Sequence, residues 1–216
     1  MNLMNRTRLL AYAFATPALL LSGPAAAKKA AQPERTSSFS GTLTQLNNSG
    51  VTGTFTIEQR GQGQIRIQIT ATGLEASSGV NVGHIHGLEG NADATCPTLA
   101  QDDDGDGFLE LAEGQETYGP IILNLGDVDP NDDGIVDYSM TFNLNTSSSF
   151  EGDMDKGDLL PLHLREIVLH GLTLEAGEGS NGGEADGTAG YKIVLPVACG
   201  AIMMDESSNP MEFRTR

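Results

Sequence analysis

The chain has 216 residues, 12 Lys+Arg against 29 Asp+Glu, and aromatic residues at only 5%. The first 27 residues hold two arginines and no acid, which leaves 10 basic and 29 acidic groups after them, a charge of −19. That balance excludes nucleic acid or an anionic membrane face as the main partner, because both need a basic footprint, and 38% apolar residues in periodic runs exclude wholesale disorder.

Residues 1–27 start with Arg6 and Arg8, run apolar from Leu9 to Leu21 and end on Ala25, Ala26 and Ala27. A positive start, a short Pro-interrupted apolar run and small closing residues predict a signal peptide. The mature chain is expected to begin near Lys28 and to be exported, periplasmic or secreted, with no membrane span of its own. In an oxidising compartment Cys96 and Cys199 are expected to pair. Residues 28–38 read as a linker.

Phe39–Leu46 predicts an edge strand. Gly53–Gln59 alternates, with Phe55 and Ile57 on one side. Ile65, Ile67 and Ile69 alternate strictly with Arg66, Gln68 and Thr70, the pattern of a half-buried strand. Val136, Tyr138, Met140, Phe142 and Leu144 repeat it against Asp137, Ser139, Thr141 and Asn143. Residues 164–170 and 191–202 are two further β-rich runs, and 175–188 reads as a loop without core-forming residues. No 3.6-residue period is sustained beyond the leader. Short strands with long polar connections, in a chain with 27 glycines, predict a single all-β domain, a Greek-key sandwich or barrel.

Two acidic stretches stand out. Asp102, Asp104, Asp106, Gly107, the Phe108 carbonyl, Glu110 and Glu113 fit a twelve-position EF-hand loop over 102–113, with Leu109 at its apolar eighth position. That spacing predicts calcium. Asp129, Asn131, Asp133, Gly134 and Asp137 begin the same way but place Met140 at the twelfth position. A β-turn accounts for them better, with calcium as the alternative.

Four histidines are present: His84, His86, His163 and His170. His84 and His86 flank Ile85, and on a strand their rings share one face, about 7 Å apart at Cα. Imidazole suits copper, zinc, nickel and iron. Met203, Met204 and Met211 offer soft thioethers, although core filling and a tail over 204–216 explain them more simply. No nucleophilic triad and no phosphate loop is present.

Read in order, several segments resemble the copper/zinc superoxide dismutase superfamily. Gly53-Thr54-Phe55-Thr56-Ile57-Glu58-Gln59 resembles its early strand, and Gly73-Leu74 precedes Gly83-His84-Ile85-His86-Gly87 as in the family. Cys96 follows ten residues after His86. Leu125-Gly126-Asp127-Val128 with Asp133-Gly134, then Arg165-Glu166-Ile167-Val168-Leu169-His170, continue the likeness. Gly187-Thr188-Ala189-Gly190 and Val197-Ala198-Cys199-Gly200-Ala201-Ile202 close it, so that it spans 39–203. It implies an immunoglobulin-like Greek-key β-sandwich or barrel, copper on His84, His86 and His170, a Cys96–Cys199 disulfide, and conversion of superoxide to oxygen and hydrogen peroxide.

The departures from that pattern carry weight of their own. The family's bridging histidine and its next two zinc histidines belong between Cys96 and Val128, where this chain has none, and its zinc aspartate falls at Asn124. Zinc is therefore not expected, and calcium on 102–113 is expected to take its structural place. His163 is the one spare histidine for copper, and Lys192 stands nearest the family's anion-guiding arginine. With superoxide as substrate the chain is an enzyme. With a copper donor or acceptor as partner it is a binding or delivery protein. The His-Ile-His-Gly segment also resembles the CHRD module, which implies a structural domain.

Overall fold

The computed structural model describes residues 36–75, 79–131, 134–179 and 183–206, so the predicted signal peptide and most of the linker and tail lie outside the described residues. Nine strands are described: β1 (Thr36–Gln45), β2 (Thr52–Arg60), β3 (Gln64–Thr72), β4 (Val82–His86), β5 (Ile121–Asp127), β6 (Ile135–Asn143), β7 (Glu166–Leu174), β8 (Gly190–Ala201) and β9 (Met203–Met204). Two short helices join them, α1 (Leu111–Tyr118) and α2 (Lys156–Leu159). Pairing runs β5-β4-β7-β8-β1-β2-β3-β6, with β9 on β1. The chain crosses sides from β3 to β4, returns from β5 to β6 and crosses again from β6 to β7, a Greek-key path as expected. Strands β5 and β6 are the two ends of this order, and the Tyr138 hydroxyl on β6 donates to the Leu125 carbonyl on β5 at 2.8 Å. The result is a nearly closed antiparallel barrel.

The alternation in the sequence builds the barrel's core. Ile65, Ile67 and Ile69 of β3 are at most 1% exposed and stand opposite Gln59, Ile57 and Phe55 of β2. Burying one such side chain stabilises the fold by about 1.5–3 kcal/mol. Met140 departs from the expected pattern. It is 45% exposed, on the strand at one end of the pairing order.

Strand β1 is not an edge. Its first part pairs with β2, while Thr44 and Gln45 pair with Cys199 and Ala198 of β8, so it turns the corner between the two halves. Gly41 permits the turn, since a Cβ there would lie 2.2 Å from the Phe55 ring and 2.4 Å from the Ala201 carbonyl. The ordered domain is also wider than 39–203. Thr36, Ser37 and Ser38 belong to β1, and beyond β9 the Asp205 amide donates to the Ser38 carbonyl at 2.9 Å.

Helix α1 is too short to show a period in sequence. A capping box between Glu110 and Glu113 starts it, and Gly119, at φ +80°, ends it. The loop 175–188 does contribute to the core: Ala185 is fully buried with Leu174 and Leu195.

Candidate metal centre

His84 and His86 project from β4 and His170 from β7, where Val82 pairs with His170 and His84 with Val168. The ladders are irregular at these residues. Pairing of β4 with β5 shifts at Gly83/His84 and at Ile85/His86, and pairing of β7 with β8 shifts on both sides of His170. Such irregularities re-aim side chains without ending the sheet. The three rings converge, with centroids 5.0 Å apart for His84 and His170, 5.6 Å for His84 and His86, and 5.8 Å for His86 and His170. One nitrogen from each lies within 4.8 Å of the others.

Backbone carbonyls set two of the tautomers. His86 Nδ1–H donates to the Gly119 carbonyl at 2.9 Å and His170 Nδ1–H to the Val194 carbonyl at 2.8 Å. Each Nε2 is then a bare lone pair, and both are buried without a partner, as is Nδ1 of His84. Burial holds the His84 pKa down to about 4 and that of His86 to about 3, the latter against its bond to Gly119 and with help from His84. His170 is driven well below its ordinary value by burial and by the other two rings. Three neutral imidazoles with three orphaned, converging nitrogens form a donor set for a borderline transition metal, copper among them. His86 and His170 are 1% exposed and His84 9%, so His84 is the least buried of the three.

Two neighbouring segments support these rings. The Tyr118 ring, fully buried on α1, packs edge-on to His86 at 4.4 Å, and Gly119 follows it directly. Val194 precedes Leu195, which packs in the same cluster as Phe108 of the first acidic loop.

That loop brings Asp102, Asp104 and Asp106 together, one carboxylate oxygen of each within 4.8 Å of the others. Its backbone wraps the acids: Asp102 accepts from the amides of Gly105, Asp106 and Gly107, and Glu113 accepts from those of Asp103 and Glu110. Gly105 and Gly107 take φ of +76° and +92°, which the tight wrap requires. Burial raises the Asp106 pKa, and its Oδ2 is buried without a partner. Glu110, the ninth position, points elsewhere and accepts the Ala185 amide at 2.7 Å, tying the loop to 183–185.

The second acidic stretch is arranged differently. Asp129 accepts from both the amide and the side chain of buried Asn81, at 2.7 and 3.3 Å. Asn131 accepts the Ile135 amide on its side chain and the Gly134 amide on its carbonyl, which makes a turn. Asp137 lies on β6 opposite Thr70, and Asp133 is outside the described residues.

The remaining sequence candidates are engaged elsewhere or exposed. Lys192 extends its ammonium to Asp186 at 2.9 Å and to the Thr188 hydroxyl at 3.1 Å. His163 is exposed on the turn Leu162–Leu164, beside Phe39, Gln59 and Met204. Asn124, opposite His84 on β5, is exposed and accepts the Gly126 amide. Met203 and Met204 form the exposed strand β9, and Met211 is outside the described residues.

The Cys96–Cys199 disulfide is formed, with Cα atoms 5.7 Å apart. Sequence reasoning missed its neighbour. Glu166 is 2% exposed, with Oε2 3.1 Å from Cys96 Sγ and 3.7 Å from Cys199 Sγ. Burial raises its pKa to about 8, with Asp93 adding to the rise. Arg165 is equally hidden, at 1% exposed, donating to the Leu159 and Leu164 carbonyls and to Asn91. Neither stands out in sequence, because Arg-Glu inside a β run reads as a solvated face.

No protein-family model matches the chain. No curated protein sequence matches it either. Among solved structures the chain is similar to a variant of superoxide dismutase 5 of Candida albicans, at 11% identity over 80% of this chain and 94% of that one, with a TM-score of 0.40. It is also similar to the clock protein EA4, at 17% identity over 81% of this chain and 97% of that one, with a TM-score of 0.41.

Proposed function

We propose that this chain is an exported copper protein of the superoxide dismutase kind, holding copper on His84, His86 and His170. The observation that carries the reading is the set of three buried, partnerless ring nitrogens that converge on one point. Copper held there supplies one-electron cycling between Cu(II) and Cu(I), by which two superoxide ions and two protons become oxygen and hydrogen peroxide. The Gly119 and Val194 carbonyls fix the ring tautomers, so the ligand lone pairs are aimed before any metal arrives. Burial keeps the rings neutral at neutral pH, which removes proton competition for the site. A small anion would approach on the side of His84, the least buried ring, since the Tyr118 ring closes the His86 side.

Calcium on Asp102, Asp104, Asp106 and Glu113 completes the reading. Glu113 is both the twelfth loop position and a cap of α1, so an ion there would brace the helix that carries Tyr118 and Gly119 to His86. Export is supported by the leader's sequence and by the disulfide. Among the described residues no helix is long and apolar enough to cross a membrane.

The deciding measurement is the superoxide dismutation rate of copper-loaded, calcium-replete protein beside its His170→Ala variant. A high rate lost in the variant supports the enzyme, and equal rates refute it. A second reading, a copper carrier, draws on the engagement of Lys192 by Asp186 and on His163, which does not join the cluster of His84, His86 and His170 among the described residues. Tight copper in the parent chain without turnover would select it.

A further inference from the structure

A second ligand cluster lies on neighbouring elements, with Glu166 on β7 as His170 is, Cys199 on β8 and Cys96 in the connection between β4 and β5. Cys96, Glu166 and Cys199 each bring one ligand atom to within 4.8 Å of the others. The copper chemistry uses none of them. Disulfide sulfurs carry no hydrogen, so in the oxidised protein Glu166 is a buried carboxyl whose side-chain contacts are two sulfurs that cannot donate to it. Burying a carboxyl on those terms is costly. The same three groups make an S2O donor set once the sulfurs are thiolates, one suited to a thiophilic divalent cation.

The backbone would hold the set together after the S–S bond opens. Glu166 and Cys199 sit on the paired strands β7 and β8. Just ahead of Cys96, the Ala94 amide donates to the Leu164 carbonyl at 3.3 Å and the Thr95 amide to the Thr117 carbonyl at 3.1 Å. Reduction therefore frees the Cys96 side-chain torsion more than its main chain. Two thiolates on one zinc at ~2.3 Å each stand roughly 3.7 Å apart in a tetrahedron, a separation that such a rotation supplies. A cavity of about 500 Å³ opens on both cysteines, bordered by Pro97, Thr98, Leu99 and Leu109. It offers a route in and room for a solvent ligand at the fourth position.

We propose that Cys96, Glu166 and Cys199, in the dithiol form, bind a thiophilic divalent cation such as Zn(II) or Cd(II), a state exclusive of the disulfide. An external dithiol supplies two electrons and two protons. Its S–H bonds break as it becomes a disulfide, and the Cys96–Cys199 bond becomes two thiols. The cation then displaces the two thiol protons, with the carboxyl proton where one is present, to solvent. It is held by two thiolates and one carboxylate.

The test is an anaerobic titration of the full chain with Cd(II), after reduction by a dithiol and removal of the reductant, read by the near-ultraviolet sulfur-to-cadmium charge-transfer band. Imidazole and carboxylate sites give no such band, so the oxidised chain is the control. The expected result is a sulfur-to-cadmium band that saturates at one thiolate-bound equivalent in the reduced chain, no band in the oxidised chain, loss of most of the band in Cys199→Ser and its retention in His170→Ala. Glu166→Gln should weaken binding about tenfold or more, the scale on which losing even an outer partner weakens a metal site. No band in a reduced chain that keeps its β-sheet circular dichroism overturns the proposal. Equal affinity in Glu166→Gln also overturns it, because two thiols of an unfolded chain would bind in that way.

Discussion

The two sides of the barrel obey different rules. On one side β3 pairs with β2 and with β6 over nine residues each, without a register shift, and its residues alternate buried and exposed from end to end. On the other side β4 and β7 shift register at the histidines, and four of the five residues of β4 are buried. The regular side buries apolar side chains and one satisfied phenol, Tyr138, and carries stability. The irregular side buries imidazoles, a carboxyl and a disulfide, groups that cost free energy to hide unless a partner arrives. Stability and chemistry are thus separated within one sheet system.

Acid should expose that separation most strongly. His84 and His86 stay neutral in the folded protein down to about 4 and about 3, while in the unfolded chain they protonate near 6.5. The unfolded state therefore takes up more protons as pH falls. The imidazoles' contribution to metal-free stability is complete above about 6.5 and lost towards 4, by ~1.4 kcal/mol per pH unit for each. Glu166 works in the opposite sense. Its pKa is raised from 4.5 to about 8, so its contribution is present at low pH and lost as pH rises through that window. Denaturant titrations from pH 3 to 9 should show an acid limb that flattens in His84→Ala and an alkaline limb that flattens in Glu166→Gln. An acid limb unchanged in His84→Ala would break the comparison.

The regular side gives the next largest effect. Ile67→Ala, at a fully buried position, should cost about 2–5 kcal/mol while copper stoichiometry and the acid limb stay as in the parent. Copper binding lost at temperatures where the variant is folded would show that the two sides are coupled.

The acidic loops sharpen the comparison further. Calcium at about a hundredfold its dissociation constant should stabilise the parent by ~2.7 kcal/mol, and chelation should lower the melting temperature accordingly. Asp104→Asn should remove most of that response. Asp129→Ala should keep it and cost only ~1 kcal/mol, because Asp129 is occupied with Asn81. A melting temperature indifferent to chelation would refute calcium on the first loop.

The sequence by itself determined the regular side. A period of two in Ile65, Ile67 and Ile69 can bury only one face, and the His-x-His spacing can only put two rings together. It also singled out the Asp102, Asp104 and Asp106 triplet, since three acids at alternate positions of a Gly-punctuated loop converge by local geometry alone. Tertiary structure decided the rest. His170 meets His84 and His86 because β7 pairs with β4, and β1 leaves the edge because its end crosses to β8. Glu166 is buried because it stands opposite His86 and beside a disulfide joining residues 103 apart. Local spacing is written in the order of residues, but which strand lies beside which depends on the closure of the barrel, and each of these contacts is made only after that closure.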